Sequence, residues 1–104
     1  MKRHDTIIIG AGPIGLEIAA HLGRAGMECL VLDGGPIGAT IDRLFPPATR
    51  FFSSPDRVEI AGITCPTIAQ EKATREEYLA YLRQVVDTLN LKVRTYHHVE
   101  AGRV

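Results

Sequence analysis

The sequence predicts an α/β fold on a parallel sheet with a strand, helix, strand start, and three observations carry that prediction. Residues 6–9, TIII, are β-branched throughout; the run from Pro13 to Ala25 has a helical pattern; and residues 28–32, ECLVL, form a second apolar run. Two strands joined by a helix must lie parallel, because a tight turn connects only antiparallel neighbours.

The first strand ends at Gly10 and is expected to be short and buried. The helix behind it places Ile14, Ile18, Ala19 and Leu22 on one face, and Gly26 supplies its stop. The second strand ends at Asp33. From Gly34 to Ala73, glycine, proline and serine interrupt short apolar pieces with no clear period, and so long an irregular tract usually lines a site or packs on a cofactor. Helix resumes at Thr74, where Thr74 and Glu77 match a capping box and Tyr78, Leu82, Val85 and Leu89 share a face. Asn90 is the expected stop. KVRTY, residues 92–96, is the predicted third strand, lying beside the second after a right-handed crossover.

At 104 residues with 45% hydrophobic content, the chain has a one-domain length and enough apolar mass for a modest core. Twelve basic and twelve acidic residues cancel, and no run of like charge appears. That balance gives no electrostatic footprint for nucleic acid or for an anionic membrane. Lys2 and Arg3 are followed by only Ile7–Ile9 before the glycines, which is too short for an export or membrane segment. Cys29 and Cys65 stand 36 positions apart with no CxxC, so neither a disulfide framework nor a zinc site is indicated and a reducing, cytoplasmic setting is expected.

The residues with the most specific chemistry are GAGPIG, 10–15. A lone GxGxxG marks many ordinary turns, but here Gly10 ends a strand, Gly15 lies in the first turn of a helix, and Asp33 ends the next strand 23 positions after Gly10. That context is the dinucleotide fingerprint of a Rossmann-type fold. Gly10 permits the tight turn, Gly12 lets the backbone approach a pyrophosphate, and Gly15 lets the helix pack closely on the sheet. Amide groups at the helix start face the phosphates, while Asp33 accepts from ribose hydroxyls and repels a 2′-phosphate. The plain alternative is a tight strand-to-helix turn with no ligand. FAD and NAD share this fingerprint, so the motif does not choose between them.

The spacing from Gly10 through Ala19, Leu22, Gly26, Val31 and Asp33 resembles the FAD-binding start of the pyridine-nucleotide-disulfide reductase and flavin monooxygenase superfamily. FFSSPDRVEIAGI, residues 51–63, and ATREEYLAYLRQVVDTLNLKVRTY, residues 73–96, are similar to thioredoxin-reductase-like flavoproteins of the bacillithiol-disulfide reductase group. The resemblance covers nearly the whole chain, with Gly34 to Arg50 fitting least well. It implies a Rossmann-type FAD-binding fold, FAD as cofactor, NADPH or NADH as electron donor, and a small-molecule acceptor, for which a disulfide is one candidate. It also implies that residues 1–104 are the N-terminal part of an FAD/NAD(P)-binding domain, an incomplete fragment whose nicotinamide-binding domain and C-terminal FAD segment are absent. Such a fragment is expected to be inactive by itself and to self-associate through an unfinished sheet, making a homo-oligomer one outcome.

The cofactor contacts expected from motif and resemblance together are Gly10, Gly12, Pro13, Ile14, Gly15, Asp33, Gly34, Thr40 and Val99. Thr40 follows GPIGA where related flavoproteins carry a polar group near the flavin, and Val99 lies where they offer backbone groups to adenine. Members of the bacillithiol-disulfide reductase group commonly carry a cysteine at the place of Ile14. Isoleucine forms no thiolate or mixed disulfide, so FAD binding survives there while that route to disulfide reduction closes, leaving Ile14 to pack against the ring or the sheet.

No residue stands out as an acid, base or nucleophile, and no metal ligand set is evident. Cys29 reads as a small core residue, and Cys65, before Pro66, as an exposed thiol. His97 and His98 fall on opposite faces of a strand, which is wrong for sharing a metal. Arg24, Arg50, Arg57, Arg75 and Arg83 read as solvated, and Tyr78 and Tyr81 as core and rim. Two other readings stand beside the reductase: the N-terminal part of a flavin-dependent monooxygenase, and a non-catalytic nucleotide-binding module.

Overall fold

The computed structural model describes residues 4–50, 58–67 and 72–100. Strand β1 (Thr6–Ile9) pairs in parallel with β2 (Cys29–Leu32), with Thr6 opposite Cys29 and Ile9 opposite Leu32. β2 pairs in parallel with β3 (Val93–Arg94), giving the order β1-β2-β3. The third strand therefore sits beside the second as expected, but it keeps two residues of KVRTY. Helix α1 (Pro13–Arg24) connects the first pair. Between β2 and β3 run helix α2 (Ala39–Leu44) and helix α3 (Arg75–Thr88).

One face of the sheet is covered by α1 and α3. Val31, Leu16, Ala19, Tyr81, Leu82 and Val85 form its centre, each nearly or fully excluded from solvent, with Ile8 and Val93 packed against them. The other face carries Ile7 and Ile9, which are 56% and 68% exposed, so β1 is not the buried strand its composition suggests. The register explains this: residues opposite each other in a parallel pair point the same way, so Ile7, Ile9, Leu30 and Leu32 share the face away from the helices.

Helix α1 is also rotated from its expected setting. Leu16, Ala19 and Ala20 are buried, whereas Ile14 is 76% and Ile18 46% exposed, so Ile14 does not pack on the sheet. The cause is Gly15. A side chain there would collide with the Gly10 carbonyl oxygen, so the glycine edge of the helix is the one that rests on the end of β1. Leu16, Ala19 and Ala20 lie on the same side of the helix, where Leu16 fills the core and the small Ala19 and Ala20 keep the helix close.

Both long helices end the same way. Gly26 (φ +84) and Asn90 (φ +52) adopt the left-handed conformation, and Met27 and Leu91 donate back to the Leu22 and Val86 carbonyls at 3.0 Å, as in a Schellman cap. α3 starts with the expected capping box: the Glu77 N–H donates to Thr74 Oγ1 at 3.1 Å, and the Thr74 N–H donates to Glu77 Oε1 at 2.9 Å.

The irregular tract contains α2, whose six residues are too few to show a period in sequence. Phe45, extended before Pro46, ends it. Tyr81 belongs to the core and not the rim: its hydroxyl accepts from the Ile60 N–H at 2.7 Å and donates to the Ile63 carbonyl at 2.6 Å, closing the turn between them. Cys65 is 3% exposed, against the expectation of an open thiol, and burial pushes its pKa up, with Glu77 and Glu59 adding to the shift. Cys29 is half-buried and outside the core, because it opens β2 at the edge of the helical cover.

Arg75 is not solvated. It pairs with Asp42 at 2.8 Å and Glu76 at 2.5 Å, tying α3 to α2. Arg24 and Arg83 are exposed, Arg24 donating to the Ala61 carbonyl at 2.6 Å; Arg57 and the FFSSPDR segment lie outside the described residues. His97 and His98 follow β3 and are not part of it. Among the described residues no helix is long and apolar enough to cross a membrane.

Candidate functional site

The carboxyl ends of β1 and β2 meet at one peptide group. Gly10 leaves β1 at φ +114, a conformation that glycine adopts without strain, and its N–H donates to the Leu32 carbonyl at 2.7 Å. Ala11, fully buried, follows. Its N–H donates to Asp33 Oδ2 at 2.7 Å, and its carbonyl accepts from the Gly38 N–H at 2.9 Å. The glycine loop is thus held from both sides by the segment after β2.

Asp33 is the hub of that arrangement. Oδ1 accepts from the Gly35 N–H at 2.9 Å, the Asp33 N–H donates to the Arg94 carbonyl at 3.1 Å, and the Asp33 carbonyl accepts from the His97 N–H at 2.8 Å. Each carboxylate oxygen accepts one backbone bond and retains a lone pair for another donor. Gly38 (φ +72) makes the turn into α2, where a Cβ would come within 2.7 Å of Leu79 Cδ2.

Helix α1 opens without protection. Gly12 has no side chain to cap it, the first turn holds no carboxylate, and Pro13 fills the position where a missing N–H costs nothing. The amides of Ile14 and Gly15 have no carbonyl of their own helix to bond, so the start of α1 carries donors and the positive end of the helix dipole. At Gly12 the backbone is extended (φ −91, ψ −173), and a Cβ built there meets nothing within 4 Å. Among the described residues no packing or conformational demand explains a glycine at position 12. A side chain at position 12 would project into the open space beside these donors.

Two joined clefts border this loop. A small one of about 110 Å³ is lined by Gly10, Gly12, Pro13, Asp33 and Thr40, together with Gly38, Ala39 and Ile41. A larger one of about 530 Å³ is lined by Asp33, Gly34, Gly35, Pro36, Thr40, Arg43 and His98, together with Ala39 and Asp42. The structure so brings together Gly10, Gly12, Pro13, Asp33, Gly34 and Thr40, whereas Ile14, Gly15 and Val99 line neither cleft. Sequence reasoning missed Gly38, Arg43 and His98. Only Gly38 left a trace, in the close glycine spacing of GGPIG. A third hollow, about 420 Å³, lies at the opposite ends of the strands among Arg24, Gly26, Glu28, Asn90 and Lys92, where the helices end and no glycine loop offers donors.

The model of the pyridine nucleotide-disulphide oxidoreductase family matches residues 7–101. Bacilliredoxin reductase Bdr of Bacillus subtilis (strain 168) is 37% identical over 90 residues, covering 86% of this chain and 27% of that protein. Bacillithiol disulfide reductase Bdr from Staphylococcus aureus superposes with a TM-score of 0.85 at 33% identity, over 92% of this chain and 29% of its own. A flavin monooxygenase from Stenotrophomonas maltophilia superposes with a TM-score of 0.80 at 28% identity, over 90% of this chain and 28% of its own. The chain therefore spans under a third of the length of these relatives.

Proposed function

The chain belongs to the pyridine nucleotide-disulphide oxidoreductase family, and from that premise we propose that it is the FAD-binding portion of an NAD(P)H-dependent flavin oxidoreductase akin to the bacillithiol disulfide reductases. The observation that carries the proposal is Gly12: a glycine that packing among the described residues does not require, at the uncapped start of α1 between Gly10 and Gly15. The FAD pyrophosphate sits against Gly10, Gly12 and Pro13 and takes the amides of Ile14 and Gly15. Asp33 accepts from the ribose hydroxyls with the lone pairs left free by Ala11 and Gly35, and its charge disfavours a 2′-phosphate. Gly34 and Val99 border the adenosine, and Thr40 borders the flavin side. When bound, FAD supplies the two-electron chemistry between nicotinamide and acceptor; the chain's part is to hold and orient it.

The acceptor is a small molecule. Among the described residues the two thiols are badly placed to serve it: Cys65 is buried with a raised pKa, and Cys29 opens β2 at the end of the sheet away from the glycine loop. Ile14, exposed at the start of α1, carries no thiol. A disulfide acceptor consequently needs a thiol from elsewhere in the enzyme. A flavin-dependent monooxygenase, which needs none, is the second reading, favoured by the same observation. Two free cysteines fit a cytoplasmic setting.

The test is titration of the purified chain with FAD, followed by flavin fluorescence, with NADP as competitor. Saturable FAD binding that NADP does not displace is the expected result. Tight binding of NADP with none of FAD overturns the assignment.

A further inference from the structure

We propose that His98 is a further binding residue of the nucleotide site, its imidazole forming the wall on which the base of an adenine nucleotide stacks; this rests on the nucleotide-binding reading above. The ring lies against the bare side of Gly34, the residue after Asp33: a Cβ built at Gly34 comes 3.4 Å from His98 Nδ1 and 3.9 Å from His98 Cα. The chain reaches that place under constraint. Tyr96 turns it through the left-handed conformation (φ +58) and donates to the Gly35 carbonyl at 3.2 Å, and the His97 N–H then holds the Asp33 carbonyl at 2.8 Å. His98 is delivered to the rim of the 530 Å³ cleft that Asp33 and Thr40 also line, with an exposed ring to which no hydrogen bond is made among the described residues.

The chemistry follows from connectivity. A base is one bond from its ribose, so a nucleotide whose ribose is held by Asp33 has its base within reach of this cleft, the larger of the two that Asp33 lines. Among the described residues imidazole is the one aromatic plane in the lining, and stacking on an aromatic side chain is a general means by which proteins hold a base without reading its edges. Arg43, the other planar group there, is the control.

The experiment titrates the purified chain with ADP and, separately, with inorganic pyrophosphate, by calorimetry and by proton NMR of the nucleotide. His98→Ala should weaken ADP about tenfold while leaving pyrophosphate unchanged, and His98→Phe should restore ADP affinity. Adenine H2 and H8 of bound ADP should move upfield in the native chain and in His98→Phe, and not in His98→Ala. Unchanged ADP affinity in His98→Ala overturns this inference alone, as does a loss shared equally by pyrophosphate or carried by Arg43→Ala instead. A native chain that binds pyrophosphate but shows no preference for ADP overturns it too. No binding of FAD, ADP or pyrophosphate overturns the nucleotide reading and this inference together.

Discussion

Helix α1 begins at Gly12 with no side-chain cap and no carboxylate in its first turn, whereas α3 begins at Thr74 with a reciprocal capping box and both Glu76 and Glu77 in its first turn. The two helices are of similar length, belong to one core and end with the same type of cap. Their starts differ in that α3 satisfies free amides from within the chain, at a gain in stability, while α1 has neither a capping side chain nor a first-turn carboxylate to do so. Of the two long helices, α1 is the one whose start lacks a side-chain cap.

The largest effect should come from giving α1 what α3 has. Position 12 has extended backbone and open space, so Gly12→Asp is tolerated by the fold and supplies a cap; unfolding in urea should show stability unchanged or raised by about 0.5 kcal/mol. The same carboxylate occupies the phosphate position with like charge, so FAD affinity should fall by about a hundredfold or more, read by flavin fluorescence. Retained affinity would break the contrast between the two helices. The converse change is smaller: Thr74→Ala should cost about 1 kcal/mol in urea unfolding and leave FAD affinity untouched.

The smallest effect is in pH. The Arg75 side chain and then the Ala48 N–H hold the Glu76 carboxyl below its usual range. A carboxyl with a lowered folded pKa contributes stability that is present above its ordinary value and is lost as pH falls through the folded one. The melting temperature should accordingly decline more steeply below about pH 4.5 in the native chain than in Glu76→Gln. Equal slopes would show that this contact adds nothing to α3.

What could be read from the sequence was whatever local chemistry decides. Gly26, Asn90 and the Thr74–Glu77 pair act on their own turns of backbone, and each stands where its residue type demands. The rotation of α1 was not readable from hydrophobicity, since Ile14 and Ile18 are its most apolar residues and steric contact at Gly15 overrides them. α2 was too short to have a period. The clamp on Ala11 joins residues 22 and 27 positions apart, Asp33 and Gly38, and the closeness of those positions exists only once the sheet has formed. His98 likewise reaches the cleft only through the Tyr96 turn. The glycine motif pointed to the region, and the fold assembled its walls.

The clamp on Ala11 has a kinetic consequence. With its N–H on Asp33 and its carbonyl on Gly38, the loop already has its shape before any ligand arrives, and little ordering is left to do on capture. The observed rate of nucleotide capture should then rise in proportion to nucleotide concentration, without the plateau that a preceding loop opening would impose.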